Sequence, residues 1–422
     1  QITARSSNLS IMLFLLLFAF TPIASRILVP GRVFDRFVTI WLENEVNFSN
    51  YIDQCLKILK DFKNSSRNPQ MKELASQGIS LTQYYGLTHP SQPNYIASIG
   101  GDYFGLNHDD IIRIPKNVST IVDLLDTKNI DWKGYFEDIP GPGFMGPQSS
   151  RQNGKHFDYV RKHNPFVSYD SINYNGSRLI KVQSFRDFDR DLEKKNLPQY
   201  IHISPNMLND GHDSSLEFGI NWTVSFLKPL LSNLDFMNRT LILLTYDESR
   251  TTQIPNQITS ILLGGAVSKD LQGTTDDTLY THYSILSTIE NNWDLPCLGR
   301  YDVGANVFSL VASQTKYINK TPTDKSMVNN SLSYPGYLSR DSSKNSPIPP
   351  PNLFLTGAGG KGVAESIKRV WKSSSKDDTP YDGSGTLYDG GNGKSSAGQP
   401  VYRPPASKSD LKEAARGNNV QN

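Results

Sequence analysis

Cysteine is scarce: Cys55 and Cys297 are the only two among 422 residues. That excludes a disulfide-built scaffold and leaves two readings open, one bridge between distant segments or two buried free thiols. Charge of one sign is also missing, since 43 Lys and Arg against 41 Asp and Glu give a formal net charge of +2. No basic surplus points to nucleic acid, and no acidic block points to a solvating tail. Long apolar runs are few. The one that stands out, "IMLFLLLFAF" from Ile11 to Phe20, is shorter than the ~20 residues that span a bilayer. There is no internal repeat, and no apolar C-terminal segment of the kind a lipid-anchor signal needs.

What is present begins with that apolar run, which follows Arg5 and precedes Pro22, Ala24 and Ser25. The three-part pattern predicts a secretory signal peptide over residues 1–25, with a retained signal anchor as the alternative. Sequons agree with secretion: Asn47, Asn64, Asn117, Asn175, Asn221, Asn238, Asn319 and Asn329 each stand two residues before Ser or Thr. One such match is common by chance, but so many favour a glycoprotein of a eukaryotic secretory route, extracellular or in the cell wall.

Apolar residues make up 37% of the chain, enough to fill a substantial core. Residues 32–320 alternate short β-branched or aromatic runs with helical patterns. "RFVTIWLE", "QYIHIS", "TLILLTYDE" and "ITSILLGG" read as buried strands. "VSTIVDLLDTKN", "SFRDFDRDLEKKN" and "SSLEFGINWTVSFLKPLLSNL" read as helices, the last capped or kinked at Pro229. The alternation predicts an α/β fold with a mainly parallel sheet covered on both faces. Residues 340–422 are rich in Ser, Gly and Pro and read as a flexible low-complexity tail, with a short helix at "GVAESIKRVW".

In such a sheet, ligands bind beyond the carboxyl ends of the strands. The first strand ends in Glu43 and Asn44, and "LILLTY" ends in Asp247 and Glu248. "YIHIS" leads to Asp210, His212 and Asp213, and His282 lies at the start of a predicted helix. So many carboxylates brought together call for a compensating cation. Glu43, Asn44, Asp247 and Glu248 suit a hard ion such as Mg²⁺, Ca²⁺ or Mn²⁺, while the histidines would admit Zn²⁺ or Fe. Each residue also has a plainer role in isolation, Asn44 in a turn, Asp247 capping a helix, His282 packed at a helix start.

The segment "HPSQPNYIASIGG", His89 to Gly101, then makes sense. A serine hydroxyl is a poor nucleophile, and a bound divalent cation stabilises its alkoxide without a neighbouring base. Asn94, three residues beyond Ser91, would present a donor to a phosphoryl oxygen. Such a site fits phosphoryl transfer.

In order, "IWLEN", "HPSQPNYIASIGG", "SPNMLNDGHD", "LLTYDES" and "LYTHYS" resemble the phosphoesterase family of secreted fungal acid phosphatases and bacterial phospholipases C, within the alkaline phosphatase superfamily. The resemblance spans roughly residues 33–312 and extends to the tail segment "LFLTGAGGKGV". It implies a three-layer α/β/α sandwich and a metal-dependent acid phosphatase acting on small phosphorylated substrates. It also implies that Ser91 is both metal ligand and nucleophile, transiently phosphorylated, and that Glu43, Asn44, Asp247 and Glu248 complete the first metal site. Asp210, His212 and His282 match positions that hold a second ion, or bind phosphate, in relatives. The chain departs from two-metal relatives in having Asp247-Glu248 where they have Asp-His, and Glu43-Asn44 where they have Asp. His89 and His108 lie near enough in sequence to serve as leaving-group acids, with a structural role as the other reading.

The sequence thus points to hydrolysis of phosphate monoesters with broad specificity, for phosphate scavenging. A phosphodiesterase or phospholipase C with the same site is the alternative. A non-catalytic wall glycoprotein is a third reading, against which the cluster of carboxylates counts. Nucleic acid and a stable membrane anchor are not expected as partners; cell-wall association is.

Overall fold

The first strand shows how the site is placed. β1 (Arg36–Leu42) is buried along nearly its whole length, as the run of apolar residues requires of a strand covered on both faces. It pairs in parallel with strands on each side and delivers Glu43 at their common carboxyl edge. The computed structural model describes residues 28–43, 68–150, 157–250, 256–321, 334, 336–373 and 379–385. The leader at 1–25, Asn44, Cys55, and the sequons at Asn47, Asn64 and Asn329 lie outside the described residues.

Nine further strands follow: β2 (Ile79–Tyr85), β3 (Trp132–Phe136), β4 (Gln148–Ser149), β5 (Tyr159–Val160), β6 (Val182–Ser184), β7 (Tyr200–Ser204), β8 (Thr240–Tyr246), β9 (Ser260–Leu263) and β10 (Thr274–Thr281). Eight of the ten form one sheet in the order β10-β2-β9-β8-β1-β7-β3-β6, and β4 and β5 form a separate two-stranded ladder. Only β9 runs antiparallel to its neighbours, so the other seven strands of the sheet end at one edge.

The helices divide into two layers. On one side α1 (Pro69–Ser76) packs on the long helix α5 (Leu216–Ser232), and α4 (Phe185–Glu193) lies on β3 and β6. On the other, α2 (Ser91–Gly100) packs on α3 (Ile121–Asp126) and α6 (Tyr283–Trp293), and α6 on α7 (Ser309–Thr315). The fold is a three-layer α/β/α sandwich with a mainly parallel sheet. The helical spacing of α5 shows in its buried residues Gly219, Ile220, Thr223, Leu227 and Leu230. It runs through Pro229 to Ser232, so the proline does not end it as its type suggests.

The tail needs correction. Residues 336–373 and 379–385 are packed against the domain, not loose. The helix expected near Ala364 is there as α8 (Glu365–Trp371). Asn352 donates to the carbonyl of Tyr381 at 2.7 Å, and its backbone N–H to Gly299 at 2.8 Å. Tyr381 is buried, and its hydroxyl donates to Asp102, just beyond the end of α2. The composition of this stretch is poor in apolar residues because its order rests on hydrogen bonds and aromatic contacts with the domain rather than on a core of its own. Among the described residues Cys297 is a buried free thiol; Cys55, the other half of the bridge left open by the sequence, lies outside them.

Candidate active site

Ser91 occupies the first position of α2, following the turn at residues 86–90, and is 3% exposed. Asn94 shapes that turn. Its carbonyl oxygen accepts from the backbone N–H of Leu87 at 2.8 Å and of Thr88 at 3.3 Å, and its amide donates to the carbonyls of Thr88 at 2.8 Å and Pro90 at 3.3 Å. The side-chain amide thereby makes four hydrogen bonds within the loop that carries Ser91 and clamps it, so a phosphoryl contact as expected of Asn94 would draw on the same amide.

Ser91 Oγ lies 3.1 Å from Glu43 Oε2 and 3.3 Å from Glu248 Oε1, so the ends of β1 and β8 meet the start of α2 at one atom. Asp247 is wholly buried, and among the described residues neither of its carboxylate oxygens has a hydrogen bond of ordinary geometry. Burial, with Glu43 and Glu248 nearby, pushes its pKa well above the usual carboxylate range. Glu248 is also raised by burial, offset by His89, whose Nδ1 lies 2.5 Å from its Oε2.

Glu43 goes the other way. Burial would raise it, but His163 holds it well below the ordinary value. His163, at the end of the 3₁₀ turn Arg161–His163, bridges two strand ends: Nε2 lies 2.6 Å from Glu43 Oε1 and Nδ1 3.4 Å from Asp210 Oδ2. Burial disfavours its imidazolium, yet the two carboxylates outweigh that and raise it to about 9. Tyr95 stacks on the His163 ring at 5.1 Å, and Trp41 packs on Tyr95 at 5.0 Å, so the imidazole is held by aromatic walls.

The second set of expected ligands does not converge. Asp210 joins the cluster through His163 and accepts from the His212 backbone N–H at 2.8 Å. The His212 side chain is 38% exposed and pairs with Asp213. His282 is wholly buried, with Nε2 2.6 Å from the carbonyl oxygen of Asp247 and Nδ1 3.4 Å from the Tyr84 hydroxyl. Its ring steadies the end of β8 from behind, and burial lowers its pKa to about 4. Among the described residues no three His, Cys, Asp or Glu side chains close into a metal shell. His108 turns to Asp110, 3.4 Å away.

Sequence reasoning missed His163 and its neighbour Lys162. Neither follows a predicted strand, and the only signal was a Lys-His pair before the Asn164-Pro165 turn.

The family model for the phosphoesterase family matches residues 31–296, which include every one of these groups. The chain belongs to the phosphoesterase family. It is 46% identical over 349 residues to an acid phosphatase of Aspergillus fumigatus, covering 82% of this chain and 74% of that one. A phosphate-repressible acid phosphatase of Penicillium chrysogenum is 43% identical over 343 residues, 81% of this chain and 79% of that one. Among solved structures, an alkaline phosphatase superfamily protein from Vibrio parahaemolyticus matches with a TM-score of 0.39 at 13% identity, over 62% of this chain and 67% of that one.

Proposed function

We propose that the protein is a secreted, metal-dependent acid phosphatase that hydrolyses phosphate monoesters of broad specificity through a phosphoserine at Ser91. The chain is a phosphoric monoester hydrolase, in keeping with relatives named acid phosphatases. One observation carries the mechanism: Ser91 Oγ stands between Glu43 and Glu248, beside an Asp247 whose two buried oxygens have no hydrogen bond of ordinary geometry among the described residues. A phosphate ester does not approach such a cluster unless positive charge compensates it.

The donors, anionic oxygens and a hydroxyl, fit a hard divalent ion in type. Glu43, Ser91, Asp247 and Glu248 would hold it, with Asn44 expected beside them. When bound, such an ion stabilises the serine alkoxide and screens the carboxylates from the substrate. Of the second set, only Asp210 brings a carboxylate into the cluster, while His212 pairs with Asp213 and His282 with the Asp247 backbone, which favours one ion over two.

Ser91 Oγ attacks phosphorus, the ester P–O bond breaks, and the alcohol leaves with a proton. Water then attacks the phosphoserine, restoring the Ser91 hydroxyl and releasing inorganic phosphate. The seryl phosphate forms at the first position of α2, where the helix dipole favours negative charge. Protonated His163 bridges Glu43 and Asp210 and supplies positive charge beside the reaction.

Secretion and glycosylation rest on the 1–25 leader pattern and the sequons. Asn117, Asn175, Asn221 and Asn238 are exposed. Asn319 is half-buried and pairs with the backbone of Val307. Phosphate scavenging is supported by a relative named phosphate-repressible, and wall association by the polar tail at 340–422. No described helix is long and apolar enough to cross a membrane.

The test is turnover of p-nitrophenyl phosphate across the acid and neutral range, with and without chelation, beside Ser91→Ala. Loss of activity in the variant and on chelation, with recovery on adding one particular ion, is the expected result. Full activity in Ser91→Ala overturns the phosphoserine, and full activity after exhaustive chelation overturns the metal.

A further inference from the structure

We propose that Lys162 selects phosphate monoesters over diesters by pairing its ammonium with the third unesterified phosphoryl oxygen, where a diester carries its second alcohol. The proposal rests on the reading of Ser91 as nucleophile.

Lys162 Nζ lies 3.2 Å from Asp109 Oδ2, on a side chain 16% exposed. The other oxygen of Asp109 accepts from the backbone N–H of Gln92 at 3.1 Å. A single carboxylate therefore separates this ammonium from the residue that follows the nucleophile. On the other side Lys162 is bonded in sequence to His163, which touches Glu43.

An ammonium carries three N–H donors. Lys162 gives one to Asp109, and no other hydrogen bond to its Nζ is found among the described residues. Donors left unmade in a largely buried place are costly, so the arrangement suits an acceptor that comes with the substrate. The carboxylates of the cluster also act on this charge. Burial would lower the pKa of Lys162, yet Glu43, Asp109 and Asp247 raise it instead, so the ammonium sits within the field of the carboxylates around Ser91.

The two histidines beside these carboxylates already have partners. His163 is taken by Glu43 and Asp210, and His89 by Glu248. Lys162 is left with open donors. In phosphoryl transfer the charge spreads over the three oxygens that are neither attacking nor leaving. A monoester presents all three bare, and a diester only two.

Lys162→Met, measured in the full chain, is expected to lower kcat/KM for p-nitrophenyl phosphate by about 10- to 100-fold. For bis(p-nitrophenyl) phosphate the change should stay within about threefold, and Lys162→Arg should restore most of the monoester activity. Inhibition by inorganic phosphate should weaken in parallel. Equal losses on both esters, or no loss on the monoester, overturn the proposal. Should the Met variant not fold, Lys162→Gln, which keeps a donor for Asp109, serves the same comparison. Ser91→Ala in the same series keeps the two readings apart. If it stays active the serine reading fails, whereas if it is inactive the ratio of the two esters tests Lys162 alone.

Discussion

At the scale of single residues, the site sets chemistry against stability, and two substitutions should move the two in different ways. Ser91 Oγ faces Glu43 and Glu248, so removing it takes away the proposed nucleophile while sparing the helix and its turn. Ser91→Ala should lower turnover by at least about 1000-fold yet leave the melting temperature within a few degrees of the parent. A calorimetric scan beside the activity assay checks this, and a large fall in melting temperature would contradict it. His163 is the opposite case. It stands between Glu43 and Asp210, all three buried, so His163→Phe leaves two carboxylates without their cation. A cost of about 3–5 kcal/mol is expected, read as a lower denaturant midpoint in metal-free protein. Unchanged stability would mean that the bridge is not what holds these strand ends together.

At the scale of elements, the turn between β2 and α2 is as demanding as the strands. A Cβ on Gly86 would lie 2.8 Å from both the Asp247 carbonyl oxygen and Asn256 Nδ2, with the Asp247 backbone held by His282 on its other side. Gly86→Ala should cost about 1–3 kcal/mol and displace Asp247 enough to lower turnover. Wild-type stability together with wild-type kcat in that variant would show that the close approach is unimportant. Asn94→Ala removes four hydrogen bonds from the same turn and is expected to lose about 2–4 kcal/mol by urea unfolding.

This is also the scale at which legibility in the sequence divides. β1, β7, β8 and β9 were readable because each is a continuous apolar run buried on both faces. β10, "TTDDTLYT", was not, because it is an edge strand and its first half alternates half-buried and exposed residues. β6 has only three residues, too few to show a period. The carboxylates and Ser91 were legible because they end strands or begin a helix, whereas His163 and Lys162 sit in a 3₁₀ turn within an irregular stretch, where no periodicity marks a functional position. Asn94 is legible as a residue of this loop, but only coordinates reveal that its amide clamps the loop itself.

At the scale of the whole molecule, Tyr334 and the described residues past 336 brace the far end of α2, the helix that starts at Ser91. Tyr334 and Tyr381 donate to buried Asp102, and Arg300 donates to the Tyr381 hydroxyl and to the Pro349 carbonyl. Chain that looks low in complexity thus fixes α2 from behind while Asn94 and Asp109 fix it in front. The core also limits how far into acid the fold can work. His202 is wholly buried on β7 between Thr39 and Ser204, against Trp41, and burial lowers its pKa from 6.5 to about 3. Between those values the unfolded chain binds a proton that the folded chain refuses. The stability this histidine allows is therefore whole above about pH 6.5 and declines as pH falls towards 3, by up to about 1.4 kcal/mol per pH unit. His202→Phe removes the titrating group from an aromatic pocket that also holds Phe136 and Phe166. Its melting temperature should fall less than the parent's between neutral and acid pH, even if it starts lower for want of the Ser204 hydrogen bond. Parallel curves for the two proteins would show that acid instability originates elsewhere in the molecule.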